Sequence, residues 1–463
     1  MKENLKDTII AIATPIGEGA ISVIRVSGDM AIVNVARQFE GKSDLTTTRS
    51  HTAHFGRIIN SQKEIVDEVV CTVFRSPKSF TGEDMVEIGC HGGIHVTRRV
   101  MECLLETGMR PAEPGEFTQR AFLNGKIDLS QAEAIADLIK AQSDKAQKTS
   151  LNQLQGVLSK QIHMVRDELV QALGLLELEL DFTEENIELI DKQKVIDLFK
   201  RGISDLSNLL DTYQFGRIWK EGVKVALIGA PNAGKSSLLN ALLKENRAIV
   251  TDIPGTTRDY IEERMIVDGV LFRLIDTAGL RKTENQIEKE GVLRTWDIVN
   301  KADVIVLVHD STKLLSDEEL ELLETEQTVN EKKMVIFANN KIDLKNEQQL
   351  QKIGPKNGIF LETSALNNTG IDNLKHTLVD NIISKARATD KESTTITNER
   401  HYSALLRAKE SLSCSLESLL SGESGEFIAQ NLRAAIDSIG EIIGVITTED
   451  ILNSIFSKFC IGK

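Results

Sequence analysis

The chain has 463 residues, which at about 150 residues per domain predicts roughly three domains, and 55 Lys+Arg against 69 Asp+Glu give a net charge of −14. Hydrophobic residues make up 41% and charged residues 27%, enough to bury sizeable cores and too apolar for disorder. No apolar run approaches the ~18 residues of a membrane span, the five scattered cysteines (Cys71, Cys90, Cys103, Cys414, Cys460) lack metal-ligand pairing, and the acidic balance argues against sequence-blind nucleic-acid binding by the whole chain.

The first apolar run, Ile9–Ala13, is too short for a secretory signal and is followed by Thr14-Pro15. A soluble, cytoplasmic protein is therefore expected. Residues 1–125 then alternate strand-like runs (Ile9–Ala13, Ile21–Val26, Val69–Phe74, Met85–Ile88) with Gly-rich turns and one helix near 95–107, which predicts an α+β domain. The seven prolines, at 15, 77, 111, 114, 231, 254 and 355, leave 116–230 and 356–463 without any, so both stretches are free to be helical. Ser130-Gln-Ala-Glu133 reads as a capping box. After it Ile135, Leu138, Ile139, Leu151, Leu154, Leu158, Ile162, Val165 and Leu169 predict one apolar face of a long helix. In 222–383 the runs Val223–Ile228, Phe272–Ile275, Val304–Val308, Met334–Ala338 and Ile359–Glu362 alternate with helical patterns, as in a doubly wound parallel sheet. The expected organisation is a domain at 1–125, an all-α domain built from 126–221 and 384–463, and an α/β domain at 222–383 inserted into it.

The inserted region carries the clearest chemistry. Gly229-Ala-Pro-Asn-Ala-Gly234-Lys235-Ser236 is a P-loop between a strand and a helix that opens at Ser237. Its backbone N–H groups wrap phosphates, Lys235 reaches the β- and γ-phosphates, and Ser236 ligates Mg²⁺. Asp276-Thr-Ala-Gly279 ends the next strand, its carboxylate suited to Mg²⁺ through water and its Gly amide to the γ-phosphate. Asn340-Lys-Ile-Asp343 follows a third strand, and a carboxylate there accepts both N1–H and N2–H₂ of guanine, so the nucleotide is GTP. Ser364-Ala365 completes the base pocket. Four short motifs in order at the ends of successive strands are a strong signal where each alone is weak.

The series GAPNAGKS, GTTRD, DTAG, NKID, TSA resembles the translation-factor-like GTPases of the Era and TrmE group. This resemblance implies a Ras-like G domain, with nucleotide contacts at Asn232, Ala233, Gly234, Lys235, Ser236 and Ser237. Further contacts would come from Thr251, Asp252, Ile253, Pro254, Gly255, Thr256 and Thr257, from Asp276, Thr277, Ala278 and Gly279, and from Asn340, Lys341, Ile342, Asp343, Ser364 and Ala365. Leu280 stands where Ras-like enzymes keep a water-orienting Gln, so another group must orient water. Similarity to the TrmE/MnmE family implies K⁺ held by Asn232 and by oxygens of Thr251, Ile253 and Thr256, with Thr257 joining Ser236 on Mg²⁺. The residues themselves leave Glu284, Glu288 and Glu290 open as the water-orienting acid; the resemblance selects Glu288, three residues before Gly291.

The resemblance covers the whole chain. Thr14-Pro-Ile-Gly17, Gly82-Glu83-Asp84, Cys90-His91-Gly92-Gly93 and the run from Pro114 to Lys126 look like the family's N-terminal domain. That similarity implies a folate-binding-like fold that forms a homodimer and binds 5-formyltetrahydrofolate or a related folate through Arg25, Glu87 and Lys126. The end, Phe459-Cys460-Ile-Gly-Lys463, matches a family C-x-G-K form in which Lys463 lies near the folate and Cys460 takes part in catalysis. Family membership further implies a K⁺-stimulated GTPase. It would act with the flavoprotein MnmG (GidA) to add a carboxymethylaminomethyl or aminomethyl group at C5 of the wobble uridine of tRNA. The alternative is an Era- or EngA-like switch GTPase in ribosome assembly, against which stands a Pro-free C-terminus without a KH-like G-x-x-G segment. A folate-dependent transferase with a merely structural G domain would leave the full set of nucleotide motifs unexplained.

Overall fold

A computed structural model describes residues 7–181, 192–244, 262–276, 299–315, 319, 334–344, 359–387 and 394–463. They form two compact units, Met1–Ala136 with Gln153–Gly202 and Arg407–Lys463, and Asp137–Asn152 with Ile203–Leu406.

The first unit opens with β1 (Ile9–Ile12), β2 (Ile21–Ser27), α1 (Ala31–Gln38), β3 (Phe39–Gly41), β4 (Thr52–Ile59), β5 (Ile65–Phe74), β6 (Met85–His91), α2 (Ile94–Leu105), β7 (Arg110–Pro111) and α3 (Glu116–Leu123). The strands join in the order β3-β4-β5-β6-β2-β1-β7, antiparallel except for the short parallel pair β1–β7. Side chains alternate across a strand. Accordingly Ile10, Ile24, Val26, Val86 and Ile88 face a core shared with Ile32 and Val35 of α1 and with Val100 and Leu104 of α2. Ile9 and Ala11 point the other way, onto Phe117 of α3. The expected strands and the helix near 95–107 are present. The pattern reading missed β3, β4, β7, α1 and α3, which are short or lack a regular alternation.

Helices follow: α4 (Leu129–Lys140), α5 (Asp144–Leu154), α6 (Val157–Asp181), α7 (Lys192–Asp211) and α8 (Tyr213–Glu221). Two expectations need correcting here. The single long helix is three helices, α4 to α6. Gly156 stands between α5 and α6 at φ +78°, a left-handed conformation that ends a helix, and Ser143 caps α5 through its Oγ on Ala146 N–H at 3.2 Å. Along that pattern Leu158, Ile162, Val165 and Leu169 are buried, whereas Ile139 and Leu151 are exposed. The capping box also sits two residues earlier. Asp128 Oδ1 accepts from Gln131 N–H at 2.9 Å, and Gln131 Oε1 accepts from Asp128 N–H at 3.0 Å. Asp128 therefore takes the N-cap role assigned to Ser130, whose hydroxyl donates to that same carboxylate at 2.8 Å.

The second unit holds β8 (Val223–Ile228), α9 (Lys235–Leu243), β9 (Glu262–Val267), β10 (Val270–Asp276), β11 (Val304–Asp310), β12 (Met334–Asn340), β13 (Ile359–Glu362) and α10 (Ile371–Arg387). The strand order is β13-β12-β11-β8-β10-β9. All neighbours are parallel except β9, which pairs antiparallel with β10, so the sheet is mixed where an all-parallel one was expected. Both faces are covered: Val225, Leu227, Val306 and Val308 pack with α9 and α10, while Ala226, Ile228, Ile305 and Leu307 pack with Val299 and Ala302. The chain continues into α11 (Glu399–Ser421), α12 (Gly425–Ile443) and α13 (Glu449–Phe456). In the first unit α12 packs along α6, with Arg433 paired to Glu177 at 2.6 Å. The residues after 407 thus return to helices formed before the mixed sheet.

Candidate functional site

In a doubly wound sheet ligands bind outside the carboxyl ends of the strands, where the strand order reverses. Here that place is the C-terminal end of β8, between β10 and β11. The loop leaving β8 enters α9 through Gly234, at φ +94°, where an added Cβ would lie 2.4 Å from Asn340 Nδ2. Lys235 is 8% exposed, and its Nζ donates to the carbonyls of Gly229 and Ala230 at 2.8 and 2.9 Å. The ammonium thus lies across the mouth of the loop. Ser236 and Ser237 follow in the first turn of α9, where N–H groups without helical partners suit phosphate oxygens.

Asn340 links this loop to the last base-pocket segment. Its Nδ2 donates to Ala233 O at 3.0 Å and its Oδ1 accepts from Ala365 N–H at 3.2 Å, at 1% exposure. Lys341 Nζ donates to Asn232 O and to Asp310 Oδ2, both at 2.7 Å. Asp343 accepts from the Ser364 hydroxyl, and Ser364 closes a turn by exchanging backbone hydrogen bonds with Thr369. Asn232, Ala233, Lys235, Asn340, Lys341, Asp343, Ser364 and Ala365 are therefore brought to one locus, as the motif order predicts. The sequence reading overlooked Asp310. The available signal was an acid two residues after the buried run Val304–Val308, at the carboxyl end of a central strand.

Thr251, Asp252, Ile253, Pro254, Gly255, Thr256, Thr257, Thr277, Ala278, Gly279 and Glu288 lie outside the described residues, as does the side chain of Asp276, whose backbone ends β10 beside Leu227 of β8. Of the residues that the resemblance implies for K⁺, only Asn232 is described. It adopts φ +64° at the bend of the loop. The full set consists of neutral oxygens, a donor type that suits a hard cation of low charge. Among the described residues no cluster of three His, Cys, Asp or Glu stands ready for a metal.

A second constellation lies on the sheet of the first unit. Arg25 of β2 stands opposite Glu87 of β6, and its Nε and one terminal nitrogen donate to Glu87 Oε1 at 3.0 and 2.7 Å. The guanidinium sits 5.4 Å from the ring of Phe80 and 5.7 Å from that of Phe117, within cation–π range. Its other terminal nitrogen donates to Gly462 O at 3.2 Å, so the C-terminal residues reach the same place. Burial lowers the Lys463 ammonium below the usual lysine range, the Arg25 cation adds to this, and Glu87 and Cys460 oppose it. An anion that settled between Arg25 and Lys463 would relieve this repulsion. Lys126 Nζ instead donates to Pro77 O at 2.9 Å, and its stem packs on Gly82. The structure joins Arg25 to Glu87 directly, brings the C-terminal residues to them through Gly462 O, and places Lys126 on the 77–82 loop whose Phe80 covers Arg25. Cys460 is exposed. The acid, two bases and two aromatic rings fit a flat heterocycle bearing N–H donors and a carboxylate tail.

A family model described as the MnmE helical domain matches residues 129–460, and one described as the N-terminus of the GTP-binding protein TrmE matches residues 8–126. The tRNA modification GTPase MnmE of Thermoanaerobacter pseudethanolicus is 42% identical over 463 residues, covering 99% of each chain. The protein of the same description from Aquifex aeolicus is 43% identical over 461 residues, covering 99% of this chain and 100% of its own. Among solved structures, the G domain of the T. maritima FeoB iron transporter is 32% identical and covers 35% of this chain and 98% of that one, with a TM-score of 0.25.

Proposed function

The chain belongs to the MnmE family of tRNA modification GTPases, and from that premise we propose that it is a K⁺-dependent GTPase working with MnmG (GidA) on the wobble uridine of tRNA. The group added at C5 is carboxymethylaminomethyl or aminomethyl, with a folate such as 5-formyltetrahydrofolate as one-carbon donor. One observation carries the nucleotide half of this reading: Asn340 and Lys341 tie the guanine-recognition segment to the phosphate loop, so base and phosphates are gripped by one hydrogen-bonded unit.

In this reading Asp343 accepts N1–H and N2–H₂ of guanine, and Ser364 fixes that carboxylate. Lys235 turns from two loop carbonyls to the β- and γ-phosphates, exchanging neutral acceptors for charged ones. Ser236 and Thr257 would hold Mg²⁺, aided by Asp276. Asn232, Thr251, Ile253 and Thr256 would hold K⁺, which would supply positive charge to offset that developing on the phosphates. The arginine finger it replaces gives ~10³–10⁵ in rate, so the ion must contribute roughly 4–7 kcal/mol. Glu288 orients the attacking water. Arg25, Glu87, Lys126 and Lys463 would hold the folate, and Cys460 would take part in the modification chemistry.

We place the domains at 1–125 for folate binding and homodimerisation, 126–221 with 384–463 for the helical domain, and 222–383 for the G domain. FAD and NADH belong to the partner, the compartment is the cytoplasm, and tRNA is held jointly because the chain itself is acidic. Steady-state GTP turnover in KCl and in NaCl tests the ion. Turnover should be faster in KCl by at least about tenfold, and equal rates would favour the Era-like switch.

A further inference from the structure

Three chain segments converge on one ammonium in the second unit. Lys341 Nζ lies 2.7 Å from the Asn232 carbonyl in the phosphate loop and 2.7 Å from Asp310 Oδ2 at the end of β11. Asp310 is itself held: Oδ1 accepts from Thr312 N–H at 3.1 Å and from the Thr312 hydroxyl at 2.7 Å. It is 6% exposed, so its charge is poorly screened by water. Lys341 has a left-handed backbone at φ +63°, a conformation uncommon for a residue bearing a side chain. Its Cε would lie 3.7 Å from a Cβ added to Gly234, so the stem lies along the loop just before Lys235 and Ser236.

We propose that Asp310 is a positioning residue of the GTP site, which by fixing the Lys341 ammonium holds the Asn232 carbonyl and so sets the phosphate loop. An ammonium on a four-carbon stem has three rotatable donors and no preferred direction of its own. One neutral carbonyl does not immobilise it. A buried carboxylate, anchored by two donors from Thr312, fixes both where the ammonium sits and which way its remaining protons point. The held carbonyl belongs to Asn232, so the loop's N–H groups are aimed before nucleotide arrives and the ordering cost of binding falls. The adjoining backbone agrees, since Ser311 N–H donates to Asn340 O at 2.9 Å and joins the same two strand ends. Asp310 is outside every nucleotide motif in the chain and is not placed against the reacting atoms.

The inference rests on the nucleotide-site reading, and the test separates the two. Full-length wild-type, Asp310→Asn, Lys341→Met and the double variant are loaded with fluorescent GDP for release kinetics, and assayed for KM and kcat with GTP in KCl. Asp310→Asn should speed GDP release and raise KM about tenfold, with kcat within about threefold. The double variant should be no worse than Lys341→Met alone, because both substitutions break one link. Release from Asp310→Asn at the wild-type rate, or additive losses in the double variant, would overturn the proposal. Should Asp310→Asn fail to fold, Thr312→Val loosens the carboxylate while keeping the ion pair, and should speed release about two- to threefold; unchanged release overturns the proposal equally. A wild-type chain that retained no GDP would overturn the nucleotide-site reading, and this one with it.

Discussion

Single side chains in this protein are committed by their neighbours to distinct tasks. Asp310 is an acid buried among donors, whereas Glu288 is the acid proposed to act on water. Burial works to raise the Asp310 carboxyl, but hydrogen bonds from Lys341 and Thr312 prevail and bring it to about 2. A carboxyl lowered on folding contributes stability that is complete above its unfolded value and is lost as pH falls through the folded one. The Asp310 contribution should therefore be intact at pH 5 and fade between about pH 4 and pH 2. Acid unfolding followed by circular dichroism should show a shallower loss in that window for Asp310→Asn, and an identical profile would argue against the assignment. Glu288→Gln, by contrast, should keep GTP binding and lose most hydrolysis. Near-wild-type turnover in saturating KCl would remove Glu288 from the mechanism. The nucleotide motifs were legible because each is a local solution to holding phosphate or guanine. Asp310 was not, because its partners Lys341 and Asn232 come from two other segments.

At the scale of elements, charged clusters and chain ends fix what strand and helix patterns leave open. Arg120 of α3 is fully buried and pairs with Asp7, Glu83 and Glu116, which joins α3 to the segment before β1 and to the 77–84 loop. Arg120→Met leaves those acids without their central partner and should cost ~3–5 kcal/mol, read as an earlier urea transition; an unchanged midpoint would contradict that role. The C-terminal segment docks just as specifically. Gly462 has φ +90°, and an added Cβ would stand 2.4 Å from Ile12 O. Gly462→Ala should lift the tail off β1 and weaken the proposed binding of folate, measured by calorimetry, while Gly174→Ala on α6, with open space around it, should not. Equal folate affinity in both variants would detach the tail from the site. Periodicity located the helical region but not its breaks, since an apolar repeat continues through Gly156 while the backbone does not. The N-cap likewise went to Asp128, a stronger acceptor than Ser130 and placed to trade bonds with Gln131.

For the whole molecule, the proline-free stretches marked helices on either side of a mixed sheet, and residues after 407 do rejoin the unit that contains α6. The antiparallel β9 was hidden because it lies between motifs and carries little pattern of its own. Placing a GTPase between two helical segments suits a device in which nucleotide state changes the arrangement of attached parts. A net charge of −14 suits a protein that leaves much of the grip on tRNA to a partner. The claim that joins both sites is that GTP turnover serves modification of the wobble uridine. Nucleoside analysis of tRNA from cells lacking the gene, complemented with wild-type or Glu288→Gln protein, tests it most directly. The C5 substituent should vanish on deletion, return with wild-type protein and stay absent with Glu288→Gln; an intact wobble uridine modification in the deletion strain would contradict the account.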